Sequence, residues 1–130
     1  MNVNDLKGLI PKHKSDFESV DKIIKLGYPK IKPILPELLN WMQDGNWPIY
    51  RTLAPFLSSI GIEIIPEIKN ILQSEDYIWQ YWCLVGIVEV IGKKAIYLLK
   101  NQLERLRDNP TEEEKAEYLQ EVASDLLNLI

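Results

Sequence analysis

Two stretches of this chain echo one another thirty residues apart: Ile34-Leu35-Pro36-Glu37-Leu38 lies over Ile64-Ile65-Pro66-Glu67-Ile68. The register continues, with Trp41-Met42-Gln43-Asp44 over Ile71-Leu72-Gln73-Ser74 and Asn46-Trp47 over Asp76-Tyr77. One residue must then be inserted before Ile60-Gly61 falls over Ile91-Gly92. A period of this length suits one helix pair, a unit that cannot bury its apolar face alone and has to stack on neighbours.

The apolar spacing agrees. Ile49, Leu53, Phe56, Leu57 and Ile60 recur as one face of a helix. The same spacing runs through Ile34 to Met42, Ile64 to Leu72 and Tyr118 to Leu127, and more weakly through Phe17, Val20, Ile24 and through Ile96, Leu99, Leu103, Leu106. No window alternates with a period of two, so no sheet is expected. Ser15 with Glu18 reads as a capping box ahead of Phe17, and Gly27, Gly61 and Gly92 read as helix ends. Pro36 and Pro66 fall in first turns, where a missing N–H costs little. Pro55 lies inside a stripe and predicts a kink. Asn109-Pro110-Thr111 followed by Glu112, Glu113 and Glu114 predicts a stop and a new start, carboxylates suiting the positive end of a helix.

These signals predict an all-α fold, a short right-handed α-α superhelix of about three helix pairs. The units are 28–61, 62–92 and 93–130, with an N-terminal capping helix within 1–27. The helix from Ile78 to Ile91 is apolar around nearly its whole circumference, which predicts that neighbours enclose it. Its counterparts keep a polar side, with Ser58 and Ser59 in one and Glu117, Glu121 and Asp125 in the other.

Asp44-Gly45-Asn46-Trp47-Pro48, the basic residue Arg51 and the ending Ile60-Gly61 resemble a HEAT repeat, in which an acidic turn precedes an inner helix with an early arginine. Leu9-Ile10-Pro11-Lys12-His13-Lys14, Gly27-Tyr28-Pro29, Leu35-Pro36-Glu37-Leu38-Leu39 and Trp79-x-Tyr81-Trp82-Cys83 are similar to a family of small bacterial HEAT-like proteins of unknown function. The resemblance runs from about residue 5 to residue 125 and implies a HEAT-like solenoid, with no activity attached. Tyr81 stands where the middle unit would carry the arginine.

Composition narrows the chemistry. One cysteine, Cys83, excludes an internal disulfide, and one histidine, His13, leaves too few ligands for a closed zinc site, so no metal and no cofactor is expected. A net charge of −4 speaks against nucleic acid as a partner. No apolar run reaches the eighteen or so residues of a membrane span, and Met1-Asn2-Val3-Asn4-Asp5 lacks a secretory apolar region. A cytoplasmic protein is the expectation. Charge is polarised along the chain, with a net of +2 over residues 1–30 and −4 over 61–92.

The candidate partner-binding residues follow from residue type and position. Trp47, Tyr50, Arg51, Gln80 and Tyr81 fall in the turns and inner helices and are taken to form an accessible surface, since tryptophan, tyrosine and arginine dominate interfaces. On a regular helix Trp79, Trp82, Gly86 and Glu89 share a stripe under about 80° wide, so Glu89 is expected to orient a ligand on an aromatic floor or to emerge at the edge of a core. Lys12, His13 and Lys14 could hold an anion, or form a solvated lead-in to a helix. No nucleophile motif accompanies His13, and Cys83 sits in the most apolar helix, so no catalytic residue is proposed. The reading is a non-enzymatic protein- or peptide-binding module, with an immunity or inhibitor-type role as a special case by analogy. The rival is a HEAT-like nucleic-acid enzyme of the DNA glycosylase type, which the acidic charge disfavours. A small molecule held near Trp79 and Trp82 is a third possibility.

Overall fold

The computed structural model describes residues 2–130, and every regular element among them is helical. The thirty-residue echo is visible in the backbone. Each copy opens with a 3₁₀ turn, Lys32–Ile34 in one and Gly61–Ile64 in the other, and these lead into helices Leu35–Leu39 and Ile65–Leu72 with Pro36 and Pro66 in their first turns. Numbering in chain order, α1 is Val3–Lys7, α2 Phe17–Leu26, α3 Leu35–Leu39, α4 Tyr50–Ser59 and α5 Ile65–Leu72. Ile34, Leu35 and Leu38 match Ile64, Ile65 and Ile68 in burial as in sequence, none being more than 3% exposed.

The second helix of the middle unit is a rod over residues 77–91, made of α6 (Tyr77–Cys83), a π turn (Leu84–Val88) and α7 (Glu89–Ile91). A π turn closes its hydrogen bonds one residue further along than an α turn, and here the Glu89 N–H reaches the Leu84 carbonyl. That turn is the structural form of the extra residue that the repeat alignment requires. Its counterpart α4 has no such turn and accommodates Pro55 without breaking. Gly61 and Gly92, with φ of 79° and 97°, end the two helices in a conformation that a side chain disfavours.

The rod touches α4, α5 and α11. Cys83, Leu84, Ile87 and Val88 are 0% exposed at its middle. Toward its ends one side emerges, with Ile78 49% and Val90 64% exposed while Tyr77 and Ile91 stay packed against the core, so the expectation of enclosure holds for the central turns and is corrected for the ends, where neighbours cover only one side.

The C-terminal third consists of α8 (Lys93–Leu98), α9 (Lys100–Asp108), α10 (Glu112–Ala116) and α11 (Leu119–Leu127), with α9 packed along α11. The two long helices expected here are each broken. Leu99 interrupts the first, and Tyr118 interrupts the second at a left-handed φ of 64°. Tyr118 is therefore exposed rather than part of the buried stripe. The predicted start at Thr111 holds: its side chain and that of Glu114 form a reciprocal capping box.

Two details of α2 differ from expectation. Its cap is Asp16, not Ser15, because one carboxylate accepts from the Ser19 N–H at 3.2 Å, the Ser19 hydroxyl at 2.7 Å and the Lys12 N–H at 3.0 Å. A serine hydroxyl has no capacity for three donors. Phe17 and Ile24 are exposed while Val20 and Ile23 are buried, so the core-facing side of α2 is rotated from the expected stripe.

Candidate functional site

Three of the four tryptophans and both copies of the echo meet at one surface. A cavity of about 400 Å³ lies between α3 and α5, lined by Pro36, Glu37, Leu39 and Asn40 on one side, Glu67, Asn70 and Ile71 on the other, with Ser74 and Trp79. A second, of about 430 Å³, lies on the other side of Glu37 and Asn40, lined by Ile10, Pro11, Trp41, Gln43 and Trp47. Glu37 in α3 and Asn40, the residue that caps its C-terminal end, line both cavities and form the ridge between them. Trp41 and Trp47 meet edge to face at 5.4 Å. The Trp79 indole N–H donates to the Leu39 carbonyl at 2.9 Å, which satisfies a C-terminal acceptor of α3 and fixes the ring beside the first cavity. Glu37 Oε2 is shut off from solvent and has no hydrogen-bond donor among the described residues.

Behind this surface the rod is tied to α4 through backbone carbonyls around the π turn. The Tyr50 hydroxyl donates to the Trp82 carbonyl at 2.7 Å, and the Ser58 hydroxyl lies 2.9 Å from the carbonyls of both Gly86 and Ala54. A Cβ on Gly86 would collide with the Tyr50 hydroxyl, and one on Gly45 would collide with the Trp82 ring. Tyr50, Trp82 and Tyr81 form edge-to-face pairs at 5.5 and 5.1 Å. Gly86 is therefore a point of close approach, and there is no open space above it.

This tie corrects the expected accessible surface. Tyr50 is buried with its hydroxyl ionisation pushed up by that burial, and Gln80 is buried with its amide donating to the Ser74 carbonyl at 2.8 Å. Both hold the scaffold. Tyr81 and Trp82 are half-buried in the aromatic group behind the ridge, and Arg51 is exposed on α4 without an ion pair among the described residues. Glu89 does not share a stripe with Trp79. The π turn adds one residue, which rotates the remainder of the rod by roughly 100° relative to a regular helix, and Glu89 instead lines a small groove with Val85, Val122 and Asp125.

Lys12, His13 and Lys14 are exposed in a self-supporting loop. The Lys12 ammonium donates to the Gly8 carbonyl at 3.1 Å, the Ser15 N–H donates to His13 Nδ1 at 3.2 Å, and the Lys14 carbonyl accepts from the Ile49 N–H at 3.0 Å. The last bond fastens the loop to the start of α4, two residues beyond Trp47. The loop and Trp47, separate candidates in the sequence, thus lie along one edge.

Other polar features are structural. The Lys12 N–H, then the Ser19 hydroxyl, hold the Asp16 carboxyl down to about 2. Arg105 grips buried Glu114 through two hydrogen bonds at 3.0 and 2.6 Å, which lowers the carboxyl below its ordinary range. Cys83 is fully buried, and burial pushes its thiol up, as an inert core cysteine requires. No helix among the described residues is long and apolar enough to cross a membrane.

Glu37, Asn40, Glu67 and Asn70 are not among the residues that type and position single out. The signal that finds them is the echo itself, in which Pro-Glu-x-x-Asn occurs at 36–40 and again at 66–70. Residues 9–127 match the model of a family described as a domain of unknown function, DUF5071, and the chain belongs to that family. No curated protein matches the chain.

Proposed function

Membership of a family described only as a domain of unknown function leaves the site to carry the reading, and we propose that this chain is a non-enzymatic interaction module for a protein or peptide. The partner lies along the ridge of Glu37 and Asn40, with the cavities on either side. The observation that carries this is the convergence of Trp41, Trp47 and Trp79, all half-buried, on two adjoining concavities. Partly exposed tryptophans beside a groove supply large apolar area at little conformational cost, as anchors at interfaces do. The helix pairs are read as a short right-handed HEAT-like solenoid, on the strength of the echo in sequence, 3₁₀ entry and burial. An immunity or inhibitor-type role is the special case of such a module, supported by analogy. A nucleic-acid enzyme is disfavoured because the charged side chains lining the cavity between α3 and α5 are carboxylates, which repel phosphate.

The test is affinity capture from native cell extract with the wild-type chain, Trp47→Ala and Arg51→Ala, each checked for an unchanged melting temperature. Loss of a captured protein on Trp47→Ala with retention on Arg51→Ala is the expected result. The opposite pattern moves the partner to the exposed side of α4, and full capture by both variants removes this surface as the binding face.

A further inference from the structure

We infer that the cavity between α3 and α5 seats an extended segment of a partner that carries arginine side chains; this rests on the interaction-module reading and names its chemistry. The duplicated Pro-Glu-x-x-Asn brings two carboxylates and two amides, Glu37 with Asn40 and Glu67 with Asn70, to the walls of one cavity of about 400 Å³. Among the described residues no basic side chain lines it, and the two glutamates form no ion pair. Glu37 is half-buried and its Oε2, shut off from solvent, has no donor among the described residues, so a donor reaches that oxygen only if the side chain turns toward the cavity.

Each feature selects part of an occupant. A guanidinium presents a fork of N–H donors that matches a carboxylate, is weakly hydrated and gives up water readily in a partly enclosed site. An asparagine amide carries a donor and an acceptor together, which matches the alternating C=O and N–H of an extended backbone. The half-buried Trp79 ring supplies apolar surface for the methylene stem of an arginine, with buried Leu39 and Ile71 beneath it. Repetition of the carboxylate and amide on two adjacent helices calls for an occupant that itself repeats, as a peptide strand does. An isolated cation lacks a cage, since no group of three His, Cys, Asp or Glu side chains able to hold a metal occurs among the described residues.

The probe is a set of fluorescently labelled, end-capped Gly/Ser octapeptides with two arginines separated by one to four residues. Parallel sets carry lysine or glutamate in place of arginine, and binding is read by anisotropy at low and high salt. The expected result is binding by at least one arginine peptide with Kd on the order of 10–100 μM, several-fold weaker lysine binding, none by glutamate, and marked weakening with salt. Glu37→Gln with Glu67→Gln should lower affinity about tenfold or more, and Asn70→Ala about threefold. Glu67→Gln alone is the variant to use should the double substitution fail to fold. Equal binding of arginine and glutamate peptides, no arginine binding below about 1 mM, or indifference to Glu67→Gln overturns the inference. Capture from extract that depends on Trp47, together with arginine peptides that do not bind, leaves the interaction module standing and removes the cationic occupant.

Discussion

Replacing Gly86 by alanine tests the tie between α4 and the rod. In an ordinary helix interior, Gly→Ala gains about 0.5–1 kcal/mol. Here the added Cβ would occupy the place of the Tyr50 hydroxyl, which donates to the Trp82 carbonyl at 2.7 Å. Forcing extra volume into a packed site costs about 1–3 kcal/mol, and loss of the buried hydrogen bond adds about 1 kcal/mol. The net effect is a loss of about 1–3 kcal/mol, or a fall in melting temperature of very roughly 4–12 °C for a domain of this size. Tyr50→Phe alone removes the hydrogen bond to the Trp82 carbonyl and should cost about 1–2 kcal/mol. In the double variant the hydroxyl contact is gone and the ring carbon Cζ, 2.8 Å from the added Cβ, is what remains to be displaced, so alanine at 86 should cost less on the Tyr50→Phe background than on the wild type. Urea unfolding followed by tryptophan fluorescence measures all four corners of the cycle. Distant, independent sites add to within about 0.5 kcal/mol. Additivity at that level, or a Gly86→Ala variant more stable than wild type, refutes the packing argument.

Acid should unfold the protein through two carboxyls. Asp16 is held down to about 2 and Glu114 below its ordinary value, so both stay charged in the fold where the unfolded chain takes up protons. Their contribution is complete above about pH 5 and drains away as the pH falls toward the folded values. Urea midpoints should therefore decline over that window, and Glu114→Gln should flatten the decline while costing about 1–3 kcal/mol at neutral pH; parallel pH curves for variant and wild type would falsify the assignment. Cys83, buried and with its thiol pushed up, should resist a disulfide reagent in the native state and titrate as one thiol in denaturant. Rapid labelling without denaturant contradicts the packing described for the rod.

The apolar half of the repeat is readable because burial imposes it. Ile34, Leu38, Ile64 and Ile68 recur at helical spacing since each must reach the same core. The inserted residue is readable too, but its location is not. A π turn at Leu84–Val88 depends on Gly86 and on hydroxyls of Tyr50 and Ser58, which reach carbonyls 32 and 28 positions away. No local window holds that information, and the angular placement of Glu89 fails for the same reason. The breaks at Leu99 and Tyr118 are hidden because apolar spacing runs on through both. Asp16 displaces Ser15 as a cap because it serves the Lys12 N–H as well as α2.

The site obeys a different logic. Trp47 is singled out by residue type, and Lys12 to Lys14 by charge, but their adjacency depends on the bond from the Ile49 N–H to the Lys14 carbonyl. Glu37, Asn40, Glu67 and Asn70 lie at positions that the core does not claim: the asparagines are exposed and the glutamates half-buried. A stacked pair of helices needs its apolar residues to recur, and a carboxylate in each first turn suits the positive helix end, whereas nothing in stacking requires the outward asparagine to recur with them. Surface positions away from special contacts tolerate most substitutions to within about 0.5 kcal/mol. The proline and glutamate of the pattern serve the helix starts as well, so the part that the fold leaves free is the asparagine and the side from which both glutamates meet one cavity. That separation makes the two kinds of substitution distinguishable by experiment: Leu38→Ala should cost about 2–5 kcal/mol of stability, whereas Glu67→Gln should act on binding and cost no more than about 0.3–1 kcal/mol, the contribution of a first-turn carboxylate.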